Sequence, residues 1–524
     1  MEIYRAAPRA EWEELVVSPP EVHSCWAITA EEPLRPELLR RVPRCGVPPD
    51  RPRVDQQRGL RRDLVAAALH GRRGHGLARE EERQRRVEAE HLFDHRSRVG
   101  HPVQLRLHYS DLLAAAGDAR DLVLQLGRHP RPPGRRLFKN HDLAFSSRPH
   151  NAAAHKQTYG SRNVSFAPYG DHWRQAKRVV VVHLLSARRV DAFAPVREAE
   201  AAALVSRARR AAEAGQAVEL RELLYGGGLL PDAVARLVRR ATGLEKKFDD
   251  MVEEWDRFLS EIVSEHKEKR PGEVGDFMDV LLRLMEEETE GGGFVLTDDG
   301  IKAVAKDMIV AATETAAVAL EWAMAELAGN PRVMAKVQDE IARVVAGDAM
   351  HEQPTITEAE LNRMVYLRAV VKQVFRLHPP LPLLLPRESM SPAAVKGGRY
   401  VIPAKTTLLV NAWAIGRDPA VWDAPEEFRP ERFLAVGGVQ AQQAVHLRGT
   451  DCQLLPFGAG RRVCPGINFA LPVMELALAS LLRHFDWELH GGARPADLDM
   501  VEAPGLSTPP RVPLVLVPKW KAFA

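Results

Sequence analysis

PFGAGRRVCPGINFALPVMELALASLL, residues 456–482, sets a cysteine on a glycine-rich loop directly ahead of a long apolar helix. Gly458, Gly460 and Gly466 let the backbone turn sharply and approach a flat group closely. Backbone N–H groups at the start of the helix can point at the Cys464 sulfur and lower its thiol pKa, which suits a thiolate metal ligand. An isolated cysteine is more often a small buried apolar side chain, and that reading fits the nearby Cys452.

Outward from this loop, a chain of 524 residues with 45% hydrophobic and 27% charged content has material for a large core. Its 73 basic and 70 acidic residues nearly balance, so no global charge argues for nucleic acid. Cys25, Cys45, Cys452 and Cys464 are too few for a disulfide framework and include no CxxC zinc spacing, which fits a reducing compartment. No run of about 18 apolar residues occurs, and MEIYRAAPRAEWEELVVSPP reads as neither signal peptide nor membrane anchor, so a soluble or peripheral chain is expected.

Residues 1–138 contain no lysine, while Arg, His and Pro crowd between Arg35 and Arg136. Such runs predict loop, disorder or isolated polar helix. All-arginine composition is also what GC-rich DNA yields when read out of frame, so 1–136 is either a solvated basic region or a mistranslated or unusual extension, and the folded domain is expected over 137–524. A nucleic-acid-binding arm at 35–136 has only charge behind it and is rejected.

From Leu137 the pattern becomes helical with short strands. DHWRQAKRVVVVHLLS (171–186) predicts a helix with Trp173 and Lys177 on one face, and 244–270 a strongly amphipathic one, followed by the joint EEETEGGG. The next helix starts at the capping Thr297, is supported by Asp298 and Asp299, and stops at Gly329-Asn330-Pro331, a rod of about 46 Å. Its centre is apolar nearly all round, as in a helix crossing the middle of a protein. Further helices are expected at 332–346 and 358–377, strands at Tyr400–Ile402, Thr407–Val410 and 512–518, and a helix just after Cys464.

Phe457, Gly460, Arg462, Cys464 and Gly466 together match FxxGxRxCxG, and by this signature the chain is identified as a member of the cytochrome P450 superfamily. The resemblance implies a mainly α fold, a helical triangular prism with a small β-rich region. It implies haem b with Cys464 as thiolate ligand to iron, Arg462 meeting a haem propionate, and electrons from NADPH through a membrane-bound flavoprotein reductase docking near Arg461. Ala311-Ala312-Thr313-Glu314-Thr315 resembles the family's oxygen-activation sequence, with Thr315 supplying a hydroxyl and Glu314 linking it to solvent as a proton relay. Ala312 stands where glycine is usual. Taken alone, these threonines would more often be core residues satisfied by an upstream carbonyl. Trp173 and Lys177 stand where the family has a propionate-binding Trp and Arg, and Lys keeps the charge without the bidentate fork. Phrases such as RLHPPLPLLLPRES resemble the plant microsomal A-type branch, most of all grass enzymes of secondary metabolism such as indolinone monooxygenases. The implied partners are O2, a small apolar substrate and an NADPH–cytochrome reductase, for a monomer on the cytoplasmic face of the endoplasmic reticulum.

Two departures are visible. The family's Glu-x-x-Arg appears as Gln373-Val374-Phe375-Arg376, leaving Arg376 and the Arg432 of FRPERF (428–433) short of compensating charge, so weakened folding or haem retention is expected. Between Leu220 and Lys247 the chain is short of two helices that roof the family's substrate pocket. A catalytically impaired haem-binding remnant is therefore the alternative to a working monooxygenase.

Overall fold

The computed structural model describes residues 14–17, 123–126, 138, 140–225, 248–268, 275–291, 296–346, 356–395, 400–434, 446–450 and 452–521. The chain divides into two units, Met1–Glu31 with Leu112–Ala524, and Glu32–Asp111, the second lying wholly outside the described residues. So do residues 226–247 of the stretch 220–247 that is expected to lack two helices, and most of the first 136 residues, apart from two strands. These are β1 (Glu14–Val17) and β2 (Val123–Leu126), which pair antiparallel. Loop, disorder or polar helix is the expectation for 35–136, where β2 falls; a short run of valine and leucine forms strand there instead.

Helices α1 (Ala152–Gln157), α2 (Asp171–Arg178), α3 (Ala187–Ala192) and α4 (Ala194–Glu213) follow. The segment expected as one helix at 171–186 changes at Val179 into a π-helical turn, Val179–Leu184. Four consecutive β-branched valines crowd a regular α-turn, and the wider π-turn relieves that crowding. After β3 (Val218–Glu219) and α5 (Leu220–Tyr225) come α6 (Phe248–Glu268) and α7 (Phe277–Gly291). α7 continues through most of the acidic joint, since glutamates favour helix when solvated.

α8 (Asp298–Gly329) has 32 residues, and its predicted cap is present: Thr297 Oγ1 accepts from Gly300 N–H at 3.2 Å. Residues 316–328 are all buried, whereas 307–312 are half-buried or exposed. By length and hydropathy α8 could cross a membrane, but 61% of its most apolar window is buried inside the protein, the mark of a core helix. α9 (Pro331–Ala346) and α11 (Val365–Leu377) pack against it, and the short α10 (Glu358–Leu361) lies between those two in sequence. The expected helix at 358–377 is two helices: Thr357 and Glu360 form a reciprocal capping box that starts α10, α10 stops at Leu361, and α11 restarts at Val365.

Strands β4 (Arg387–Glu388), β5 (Ala393–Val395), β6 (Tyr400–Ile402) and β7 (Thr407–Leu409) precede α12 (Ala412–Gly416). α13 (Ile467–His484) then leads to β8 (Phe485–Leu489) and β9 (Val515–Trp520), the last displaced toward the C-terminus from the expected 512–518. The strands form small sheets ordered β1-β2-β7-β4, β3-β9-β8 and β5-β6, with β2 parallel to β7. The described protein is mainly α, and its larger core gathers Trp255, Trp322, Trp422, Leu320 and Leu481 around α8 and α13.

Candidate active site

Cys464 sits between the short 3₁₀ turn Gly460–Arg462 and α13. Its N–H donates to Phe457 O at 2.8 Å, closing the loop on itself. Burial pushes the thiol up, while the Gly466 N–H and the Lys177 ammonium pull it back toward thiolate. Gly460 has φ +64°, and a Cβ there would lie 2.0 Å from Asp142 Oδ1, so glycine is required both for the turn and for the approach of Asp142. That carboxylate accepts from Arg461 N–H at 3.0 Å and from Arg461 Nη1 at 2.8 Å. Cys452 lies buried in the smaller apolar core, as expected.

Beside the loop lie three cations. Arg462, 8% exposed, stacks 4.1 Å above the Trp173 ring and donates from Nε to Ser146 O at 2.7 Å, Nη1 to Val164 O at 3.1 Å and Nη2 to Ala167 O at 2.6 Å. Lys177 Nζ donates to Arg461 O and lies 5.1 Å from the same ring. Arg387, on β4, was not singled out in the sequence; it donates from Nη2 to Ala459 O at 2.6 Å. Its Nη1 is buried, 3.6 Å from Asp142 Oδ1, with no hydrogen-bond partner among the described residues. Burial pulls Arg462 down to about 9, with Arg387 adding repulsion, and pulls Arg387 down to about 10; burial and then Arg462 lower Lys177. Lys177 and Arg387 share Asp142 with Arg461, Arg462 has only backbone carbonyls as acceptors, and Arg387 Nη1 is buried without a hydrogen bond among the described residues, which together form a built anion site.

The loop carrying Val164 is held from α8. Asp307 accepts from Asn163 Nδ2 at 2.6 Å, Val164 N–H at 2.8 Å and Ser165 N–H at 3.0 Å. Val164 O also takes the Trp173 Nε1–H at 3.1 Å, so one acid positions the partner of both Trp173 and Arg462. Asp307 was likewise missed, because an acid on a long helix carries no local mark of its distant partners.

In the half-exposed centre of α8, Thr315 Oγ1 donates to Ala311 O at 2.6 Å and Thr313 Oγ1 to Ile309 O at 2.7 Å, the upstream-carbonyl arrangement expected of helical threonines. Ala311 and Ala312 are exposed there, so a flat group can lie against the helix at these small side chains. Glu314 accepts a hydrogen bond from the Ser507 hydroxyl.

The Gln373 cluster is separate but joined to the loop by the Phe375 and Phe457 rings, 5.0 Å apart. Gln373 and Arg376 are fully buried. Arg376 Nε donates to Gln373 Oε1 at 3.1 Å, Nη1 to Gly416 O and Pro425 O at 2.6 Å, and Nη2 to Glu427 O at 3.0 Å. Gln373 Nε2 donates to Glu427 O at 2.8 Å, and Arg432 donates from Nη1 to Asp423 O at 2.8 Å. Arg432 Nε is buried with no hydrogen-bond partner among the described residues. Burial, then Arg432, pulls Arg376 down to about 9.

Comparison with known proteins gives this arrangement its context. The family model described as Cytochrome P450 matches residues 231–517. Salviol synthase of Salvia pomifera is 39% identical over 421 residues, covering 74% of this chain and 80% of its own. Cytochrome P450 71A9 of Glycine max is 39% identical, covering 74% and 83%, and strychnine-11-hydroxylase of Strychnos nux-vomica 35%, covering 76% and 84%. A zebra fish cytochrome P450 solved with abiraterone shares the fold, with a TM-score of 0.64 at 24% identity over 78% of this chain and 95% of that one. The chain belongs to the cytochrome P450 family and is a monooxygenase that uses haem b, O2, an organic substrate and electrons from NADPH through a reductase. Within the family it is a plant A-type enzyme. The residues fit the cofactor: a cysteine loop, exposed small side chains on α8, and a cationic cluster with a spare donor for the paired carboxylates of haem b.

Proposed function

We propose that this P450 inserts one oxygen atom into a small apolar plant secondary metabolite at a haem b ligated by Cys464. The observation that carries it is the Cys464 loop lying beside the buried Arg462 and beside Lys177 and Arg387, which share the carboxylate Asp142 with Arg461. When bound, haem b supplies a redox-active iron whose thiolate ligand favours O–O cleavage. Trp173, Lys177, Arg387 and Arg462 would hold its carboxylates, and Phe457, Gly460 and Gly466 would shape the loop that carries Cys464. Glu314 takes up a proton from solvent and Thr315 passes it toward the reacting oxygen. Gln373, Arg376 and Arg432 tie the loop to α11 through Phe375.

Relatives named for salviol synthesis and strychnine hydroxylation support a small plant metabolite as substrate. The P450 domain is assigned to 137–524, shortened near 220–247, with 1–136 as an atypical region. The enzyme works as a monomer at the cytoplasmic face of the endoplasmic reticulum, where its reductase is. The impaired-remnant reading rests on Gln373 and on residues outside those described, and the relatives lend it no support. The spectrum of the reduced, carbon monoxide-bound protein tests the proposal: a thiolate-ligated haem is expected, and its loss in Cys464→Ala. Iron bound identically without that sulfur would overturn it.

A further inference from the structure

The hydroxyl that meets Glu314 comes from a segment far away in sequence, the loop just ahead of β9. Ser507 is half-buried and donates to Glu314 on α8. Its neighbour Thr508, 2% exposed, is fixed from two sides: Trp322 Nε1 donates to Thr508 O at 2.8 Å, and Thr508 N–H donates to Pro380 O at 3.0 Å. Trp322 is itself stacked on His378, with ring centroids 3.9 Å apart and planes within 5°. Farther along, Arg221 of α5 donates from Nη2 to Pro510 O at 2.9 Å while its Nε meets the buried Glu321 of α8 at 2.9 Å. Leu514 N–H reaches the same Glu321 at 3.2 Å. The loop is therefore clamped to α8 at 508, 510 and 514, and Ser507 sits where the clamped backbone puts it.

That rigidity matters because Glu314 has an alternative. It lies in the half-exposed part of the helix, where an unheld carboxylate would sample several rotamers and lose side-chain order. Tyr225 of α5 is near enough to feel that carboxylate: burial and then the charge of Glu314 push its phenol pKa up. A donor fixed in place by its own backbone selects one rotamer.

We propose that Ser507 is a positioning residue of the proton path, its clamped hydroxyl holding the Glu314 carboxylate in the one orientation from which a proton passes to Thr315. This rests on the reading of Glu314 and Thr315 as that path. The overall reaction takes O2, NADPH, one proton and the substrate R–H to R–OH, water and NADP⁺. When protons arrive out of place, the same two electrons leave as hydrogen peroxide: O2, NADPH and one proton give H2O2 and NADP⁺.

The test compares the parent with Ser507→Ala, Ser507→Thr and Glu314→Gln as haem-loaded full chains, reconstituted with an NADPH–P450 reductase. Peroxide released per NADPH consumed is measured in each. A second readout is the carboxylate infrared band that Glu314→Gln removes. In Ser507→Ala peroxide per NADPH should rise about two- to tenfold, the effect of losing one hydrogen bond, and the Glu314 band should shift. Ser507→Thr, which keeps the hydroxyl, should restore both. If Ser507→Ala loses the cofactor, Ser507→Cys carries the same comparison with a weak donor of similar size. Unchanged peroxide and an unshifted band in Ser507→Ala, with peroxide raised in Glu314→Gln, overturns the role of Ser507 and leaves the relay standing. Unchanged peroxide in Glu314→Gln removes the relay itself, and this inference with it.

Discussion

Replacing Gln373 by Glu returns a carboxylate to a cluster that holds two buried guanidiniums and draws nearly all its acceptors from backbone carbonyls. Glu427 O is overloaded, taking Gln373 Nε2 at 2.8 Å, Arg376 Nη2 at 3.0 Å and Arg432 Nη2 at 3.4 Å, while Arg432 Nε has no hydrogen-bond partner among the described residues. A carboxylate at 373 turns the contact with Arg376 into a charge-assisted bond, worth about 1.5–3 kcal/mol, and by rotating can reach Arg432 Nε, whose unmet burial costs about 1–3 kcal/mol. Against this stand the lost Nε2 bond to Glu427 O, about 1 kcal/mol, and the desolvation of a new charge, several kcal/mol, which attraction to two nearby cations offsets. The net expectation is about 2 kcal/mol of added stability with higher haem occupancy. Guanidinium denaturation followed by the haem absorbance and by circular dichroism measures the first, and the ratio of haem to protein absorbance the second. A denaturation midpoint equal to or below the parent's would refute the reasoning, since the amide would then already satisfy the cluster. In an Arg432→Leu background the gain should shrink.

Gly460→Ala forces a side chain into left-handed backbone against Asp142, so it should destabilise by at least about 2 kcal/mol and lower haem retention, with Asp142→Ala in the same chain recovering part of the loss; denaturant midpoints of the two variants check this. Asp307→Ala leaves the Val164 and Ser165 amides unpaired, costing roughly 3 kcal/mol, and hydrogen exchange at those two amides should quicken. Lys306, beside Trp255 and donating to Gln157 O at 3.1 Å, is pulled from 10.5 down to about 8, chiefly by burial. Between those values the unfolded chain holds a proton that the folded one has released, so this residue makes stability rise with pH through the window from 8 to 10.5, by about 3 kcal/mol at most. Lys306→Met should flatten that rise in denaturation curves taken across the window.

What could be read in advance was whatever is written locally. The start of α8 is announced by Thr297 and its stop by Asn330-Pro331, because caps act on backbone groups within one turn. The cysteine loop was legible because its glycines, arginine and cysteine fall within ten residues of sequence. Arg387 was not: it comes from a two-residue strand whose place beside the loop is set by pairing with β7, a contact no local pattern encodes. The break between α10 and α11 hid for the opposite reason, since apolar periodicity continues across Asn362–Met364 and masks the stop of the first helix at Leu361. Ser507 and Glu314 meet through a long loop closure, and nothing in either neighbourhood foretells the other.

Lys177, Arg387 and Arg462 also bear on how the enzyme is made. Like charges crowded out of water resist collapse, and Asp142, which also pairs with Arg461, is too little to quiet them. Porphyrin capture and closure of this region should then be one cooperative event during biosynthesis, and the yield of soluble enzyme in an expressing cell should follow the supply of haem precursor more steeply than the supply of messenger.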